Sequence, residues 1–184
     1  MSSRSWVPRL VVLDRDGVIN VEREGDYVRS VEAFLPIEGA IEAIARLSRA
    51  GLPVYVATNQ SGIGQGLYSE ADLADIHGRL VDLVGNAGGS IEAILHCPHL
   101  RDAGCACRKP APGMLLEIAR RSGVPAESIL FVGDAATDCD AAQRAGCRFA
   151  LVLTGKGQGS QESVAGRTEV VCADLPGLAG IYAP

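Results

Sequence analysis

The sequence predicts an α/β fold: a doubly wound, Rossmann-like parallel sheet of about five to six strands with helices on both faces. Three observations carry this reading. Short apolar, β-branched runs recur along the chain, segments of helical spacing separate them, and most of the runs lead into polar or glycine-containing segments. Strands buried on both faces need continuous apolar runs, and parallel neighbours need a crossover long enough to hold a helix.

The elements follow in order. Residues 9–13 (RLVVL) read as a buried first strand. Residues 38–50 carry Ile41, Ile44, Ala45 and Leu47 at helical spacing, with Gly51 as the stop. A second strand is expected at 52–57. Ser69 stands where an N-cap belongs, ahead of a helix with Leu73, Ile76, Leu80, Val81 and Val84 on its apolar positions. Residues 91–95 form a weaker third strand. Residues 112–122 read as a helix opened by Pro112 and closed at Gly123. A fourth strand at 128–132, a helix at 135–145 and a fifth strand at 148–153 follow. The glycine-rich stretch after Gly155 reads as a loop, and residues 169–172 as a short edge strand. Right-handed crossovers are expected throughout.

With 184 residues, the chain fits one domain spanning 1–184. Its net charge of −5, with no long basic run, argues against nucleic acid, whose binding is dominated by phosphate neutralisation. The apolar stretch before Asp14 is too short for a signal peptide or membrane span, so a soluble, cytoplasmic, monomeric protein is expected. Six cysteines do not imply disulfides in a chain of this length without an export signal.

In open parallel sheets, ligands bind beyond the carboxyl ends of the strands. There the sequence sets Asp14-Arg15-Asp16-Gly17 after the first strand and Thr58-Asn59-Gln60-Ser61 after the second. Arg108-Lys109 follow the third strand and a cysteine loop, and Gly133-Asp134, with Asp138 beyond, follow the fourth. Clustered carboxylates repel unless a cation compensates them, and Mg²⁺ takes a few carboxylates plus phosphate oxygens, as Asp14 and Asp134 can offer. A carboxylate can also attack phosphorus to form an aspartyl-phosphate. Asp16, two residues on, then lies on the same side of an extended segment and can protonate the leaving oxygen. Lys109 and the Thr58 hydroxyl can stabilise the transferring phosphoryl oxygens.

Cys97, His99, Cys105 and Cys107 form a second constellation. Three thiolates and an imidazole suit tetrahedral Zn²⁺ and fill its shell, so the site is structural, and it would fix the loop that delivers Arg108 and Lys109. Gly62, Gly64 and Gly66 lack the G-x-G-x-x-G spacing of a dinucleotide fingerprint and read instead as a flexible turn presenting Asn59, Gln60 and Ser61 to a substrate. His77 and His96 have no matched partner in the sequence, and Cys139, Cys147 and Cys172 read as ordinary buried residues.

The four strand-end motifs together resemble those of the haloacid dehalogenase superfamily of phosphotransferases. More narrowly, LDRDGVIN (13–20), TNQSGIGQG (58–66), CPH (97–99), CACRKPAPGML (105–115) and TGKG (154–157) resemble the bacterial D-glycero-D-manno-heptose-1,7-bisphosphate 7-phosphatase family. The resemblance implies Asp14 as nucleophile and Asp16 as general acid and base. It implies Mg²⁺ on Asp14, Asp134 and the Asp16 backbone carbonyl, with Thr58 and Lys109 as phosphoryl stabilisers. Arg108 becomes a substrate-recognition residue, Asp138 supports Lys109 or a metal-bound water, and the zinc loop is shared. The implied activity is hydrolysis of a phosphorylated sugar in lipopolysaccharide-core heptose biosynthesis. The spacings between motifs leave no room for a large cap domain, so loops 20–36, 59–68 and 97–108 should shape an open site, with Glu22 and Tyr27 as candidate sugar contacts. The alternatives are a histidinol-phosphate phosphatase and, of another class, a phospho-accepting, receiver-like signalling domain. A nucleic-acid 3′-phosphatase shares D-x-D-G but is opposed by the charge.

Overall fold

A computed structural model describes residues 6–23 and 26–184. Residues 24–25 of the expected 20–36 loop, and the start of the chain through residue 5, lie outside the described residues.

Strand β1 (Leu10–Leu13) is buried at every residue and pairs in parallel with β2 (Val54–Asn59) on one side and β4 (Ile129–Gly133) on the other. Adding β3 (Ala93–Cys97), β5 (Arg148–Val152) and β6 (Val170–Cys172) gives a six-stranded sheet of order β3-β2-β1-β4-β5-β6, parallel throughout. The chain winds outward from β1 in one direction and from β4 in the other, so a topological switch point lies between them, where such sheets open a crevice for ligands.

Alternation along β1 divides the core between the two faces. Val11 and Leu13 join the layer under α1 (Ala40–Arg49), α3 (Glu70–Asn86) and α7 (Leu175–Tyr182), while Leu10 and Val12 join Phe131 beneath α4 (Gly113–Ser122) and α5 (Ala136–Ala145). All four β1 side chains are fully buried. The Ser69 cap is present as a complete capping box with Asp72, and α4 ends on the left-handed Gly123. Among the described residues no domain is inserted between β1 and β2 or between β2 and β3, and no large cap covers the strand ends.

Several expectations need correction. Strand β2 runs two residues further than its apolar run, so Thr58 and Asn59 are strand residues paired with His96 and Cys97 rather than loop residues. Strand β3 is displaced toward the cysteines, because pairing with the end of β2 carries it to Cys97. The stretch after Gly155 is not all loop: it holds α6 (Gly157–Ser160) and a 3-10 turn at Glu162–Val164. Helix α7 was not expected; Asp174 caps it by accepting from the Gly177 amide, and it packs against α1.

Candidate active site

The strand ends meet in a cleft of about 740 Å³ at the switch point. Asp14 follows β1 directly, its amide held by the Val132 carbonyl, and Asp134 follows β4. Gly17 permits their loops to interlock. It has φ of 84°, and a Cβ there would lie 2.1 Å from Asp134 Oδ2. Thr154 Oγ1 donates to the Gly17 carbonyl at 2.6 Å, and the Lys156 amide donates to Asp134 Oδ2 at 2.8 Å, so segment 154–156 joins both loops.

Lys109 is buried, with Nζ 2.8 Å from Asp14 Oδ1 and 2.8 Å from Asp138 Oδ1. Burial disfavours its charge, but Asp138 and Asp14 outweigh burial and hold the ammonium above its ordinary pKa. Its backbone is clamped as well: the Asn59 side chain donates to the Lys109 carbonyl and accepts from the Lys109 amide, both at 3.1 Å. Asp14 Oδ1 also accepts from the Arg15 amide at 2.7 Å, while Oδ2 has no protein donor among the described residues.

Carboxylate oxygens of Asp14, Asp134 and Asp138 lie within 4.8 Å of one another, a span compatible with one hard cation. Their electrostatics point the same way. Burial, with the Asp138 and Asp134 charges, raises Asp14 well above its ordinary value despite Lys109. Burial, aided by Asp138 and Glu22 and opposed by the Lys156 amide, pushes Asp134 up to about 6. Protein cations leave this cluster under-neutralised, so the donor set fits Mg²⁺.

Asp16 has a different environment. Arg15 Nη2 lies 3.0 Å from both of its oxygens, Asn20 Nδ2 donates to Oδ1 at 2.9 Å, and Gln60 Nε2 donates to Oδ2 at 2.9 Å. Burial opposes ionisation, but the Arg15 charge and these hydrogen bonds outweigh it and bring the carboxyl below its ordinary value. Gln60 also donates to Thr58 Oγ1 at 2.8 Å, leaving the hydroxyl hydrogen free to donate into the cleft.

The remaining expected contacts divide. Glu22 lines the cleft but pairs with Lys156 across its mouth, and Tyr27 OH is 3.1 Å from Ser61 Oγ. Arg108 lines the cleft and donates to the His99 carbonyl at 3.3 Å. Asn59, Gln60 and Ser61 all line the cleft, but the flexible turn expected there is corrected to a strand end and a helix start. Asn59 is spent on Lys109, Gln60 is buried between Asp16, Thr58 and Tyr68, and Ser61 opens the short helix α2 (Ser61–Gly64) against Tyr27. Two glycines of that segment serve packing: a Cβ on Gly62 would lie 2.2 Å from Tyr68, and one on Gly64 2.7 Å from the Pro98 carbonyl.

The histidines also have partners that the sequence did not reveal. His77 Nε2 lies 3.3 Å from Arg15 Nη1, and His96 Nε2 lies 2.9 Å from Glu70 Oε2. Burial, with the Arg15 charge, drives His77 down to about 3, so it is neutral. Arg15 itself was missed as a functional residue. Its signal was a cation set between two acids whose carboxylates must share one small space.

The four soft ligands converge. Cys107 Sγ lies 3.2 Å from Cys97 Sγ, 3.5 Å from Cys105 Sγ and 3.3 Å from His99 Nδ1, and Cys97 Sγ lies 3.6 Å from Cys105 Sγ. A tetrahedral zinc with bonds of about 2.3 Å to sulfur needs edges of about 3.8 Å, so small outward movements fit the ion. Cys139, Cys147 and Cys172 are buried and separate, as expected.

Comparison with known proteins places these features in a family. Residues 106–178 match the family described as HAD-hydrolase-like. The chain is 51% identical over 148 residues to the D-glycero-beta-D-manno-heptose-1,7-bisphosphate 7-phosphatase of Pseudomonas aeruginosa, covering 80% of this chain and 83% of that one. It is 46% identical over 171 residues to the protein of the same name from Pseudomonas putida, covering 93% and 97%. Among solved structures, D,D-heptose 1,7-bisphosphate phosphatase from B. bronchiseptica, complexed with magnesium and phosphate, superposes with a TM-score of 0.89 at 42% identity, covering 94% of this chain and 96% of that chain.

Proposed function

The chain belongs to the haloacid dehalogenase-like phosphatases, in the branch of the heptose-bisphosphate 7-phosphatases, and from that membership we propose that it removes the 7-phosphate of D-glycero-β-D-manno-heptose 1,7-bisphosphate. The observation that carries the reading is the convergence in one cleft of Asp14 and Lys109 with a separately oriented Asp16. The β-anomer follows the names of the two Pseudomonas relatives.

In the first step Asp14 attacks the phosphorus in line. The bond from phosphorus to the C7 oxygen breaks as the new bond to the Asp14 carboxylate forms, and Asp16 gives its proton to the departing oxygen. Asp16 rests as a carboxylate; the incoming phosphate, itself anionic, raises its proton affinity and lets it arrive as an acid. The Lys109 ammonium and the Thr58 hydroxyl stabilise the three non-bridging oxygens, and Asn59 keeps Lys109 in place by holding its backbone. In the second step water attacks the aspartyl-phosphate, Asp16 takes the water proton, and inorganic phosphate leaves a regenerated Asp14 carboxylate. Mg²⁺, held by Asp14, Asp134 and the Asp16 backbone carbonyl, would neutralise the phosphate and the acid cluster when bound. Asp138 keeps Lys109 protonated and directed at Asp14.

Zn²⁺ on Cys97, His99, Cys105 and Cys107 is part of the same reading and has a structural role. When bound there it would fix the loop in which Cys107 immediately precedes Arg108 and Lys109. Arg108, with Glu22 and Tyr27, is the proposed contact set for the remainder of the sugar phosphate. Residues 1–184 are read as one domain, working as a monomer in the cytoplasm within lipopolysaccharide-core heptose biosynthesis. Among the described residues no helix is long and apolar enough to cross a membrane.

Steady-state phosphate release with Mg²⁺ on the β- and α-anomers of the heptose bisphosphate and on histidinol phosphate tests the proposal. Preference for the β-anomer is expected. Preference for histidinol phosphate overturns the substrate, and a single stoichiometric burst without turnover favours the receiver-like alternative.

A further inference from the structure

The two oxygens of Asp16 are reached from one region of the fold by two separate arms. In the first, His77 on α3 lies 3.3 Å from Arg15 Nη1, and Arg15 Nη2 lies 3.0 Å from each Asp16 oxygen. In the second, Tyr68, just ahead of α3, donates its hydroxyl to Gln60 Oε1 at 2.6 Å, and Gln60 Nε2 donates to Asp16 Oδ2 at 2.9 Å. Arg15 is 1% exposed, Gln60 1% and Tyr68 7%, so the inner links of both arms are shielded from bulk water, while His77 at the end of the first is half-buried.

The hydrogen assignments are forced by chemistry. A guanidinium only donates, so His77 Nε2 accepts from Arg15, and the ring must be neutral with its hydrogen on Nδ1. The amide of Gln60 is fixed likewise: its nitrogen must face the Asp16 carboxylate and the Thr58 oxygen, and its oxygen then accepts from Tyr68. Helix α3 is itself anchored at its start by the Ser69 capping box and through its buried face by Leu73, Ile76 and Leu80. It therefore carries His77 on a fixed base and anchors the chain immediately after Tyr68.

We propose that His77 and Tyr68 are positioning residues for the proton-transfer step, acting from α3 and the segment just ahead of it through Arg15 and Gln60 to hold the Asp16 carboxyl toward the leaving oxygen. Neither touches the reacting atoms. Arg15 both neutralises Asp16 and, pinned by His77, limits its rotation. Gln60, pinned by Tyr68, does the same from the other oxygen and ties Asp16 to Thr58. The leaving oxygen and the phosphoryl group are thus served by side chains braced from α3 and from the segment just ahead of it.

This inference rests on the phosphatase reading above, and leaving-group dependence tests it. An alkyl phosphate expels a strongly basic alkoxide and needs its proton at the transition state; p-nitrophenyl phosphate expels a weakly basic phenolate and needs it far less. The variants are His77→Leu, His77→Gln, whose amide oxygen can still accept from Arg15, and Tyr68→Phe, which keeps the ring. For His77→Leu and Tyr68→Phe, kcat/KM on an alkyl or sugar phosphate is expected to fall roughly 10- to 100-fold, against less than about threefold on p-nitrophenyl phosphate. The Gln variant should recover most of the alkyl activity. Equal losses on both esters, undiminished alkyl activity in folded His77→Leu or Tyr68→Phe, or a Gln variant no better than Leu, overturn the proposal. Failure of the wild-type enzyme on both esters would instead sink the phosphatase reading itself.

Discussion

Replacing Asp134 with Asn should stabilise the magnesium-free protein, although the same change should cripple its proposed activity. Burial and neighbouring acids push Asp134 up to about 6 in the folded chain, whereas an unfolded aspartate titrates near its ordinary 3.8. A carboxyl raised in this way binds its proton more tightly when folded, so its favourable contribution is complete below the unfolded value and is lost as pH rises through about 6. The loss is worth on the order of 3 kcal/mol, or very roughly 6–12 °C in Tm for a domain of this size. Asn is nearly isosteric and its oxygen can still accept from the Lys156 amide. The assay is thermal unfolding of both chains by circular dichroism, zinc-replete and without Mg²⁺, from pH 4 to 7.5. The variant should match the wild type near pH 4 and exceed it at pH 7. Millimolar Mg²⁺ should raise the wild type at pH 7 and leave the variant nearly unmoved. Effects of low pH on the cysteine cluster are common to both chains and cancel in the difference. A gap that does not change with pH, or a variant less stable at pH 7, would refute the electrostatic account.

Other outcomes follow from the same geometry. Asp14→Asn should lower turnover by about 10⁴-fold or more while the chain stays folded, read by phosphate release and circular dichroism. Substantial residual activity would remove the covalent route. Asn59→Leu breaks both hydrogen bonds to the Lys109 backbone, so it should cost about 1–3 kcal/mol in chemical denaturation and lower kcat more than it raises KM. Removing zinc, followed with a chromogenic chelator, should lower activity in step with metal release because Arg108 and Lys109 lose their anchor. Unchanged affinity and turnover after complete release would separate the cluster from the site. Gly17→Ala sets a methyl 2.1 Å from Asp134 Oδ2, so it should destabilise by about 1–3 kcal/mol and weaken Mg²⁺ binding, measured calorimetrically.

The strands and the charged residues at their ends were legible because a parallel sheet buried on both faces writes itself as apolar runs, and the switch point lies where polar residues follow them. Ser69 and Gly123 were legible because caps are local chemistry. Helix α7 was hidden, since Leu-Pro-Gly-Leu-Ala-Gly has poor intrinsic helicity and holds its shape by packing on α1. The end of β2 was hidden because Thr58 and Asn59 owe their strand geometry to pairing with β3, not to their own patterning. Arg15, His77, Tyr68 and Gln60 were harder still. Arg15, Tyr68 and Gln60 are buried and His77 half-buried, each with a polar atom paired to another of them, and such mutual satisfaction leaves no periodic trace in a sequence.

The uncovered strand ends bear on the fate of the acyl phosphate. An enzyme that passes a phosphoryl group to a chosen acceptor must keep solvent away from the intermediate, commonly by closing one body of the protein over another. With no inserted domain between β1 and β3 among the described residues, they include no such body to close. In the proposed reaction water would reach Asp14 as soon as the sugar departed, with Asp16 held beside it to accept its proton. Hydrolysis is then the default outcome rather than a selected one. Converting such a scaffold into a transferase would require covering the cleft before any change to its chemical groups.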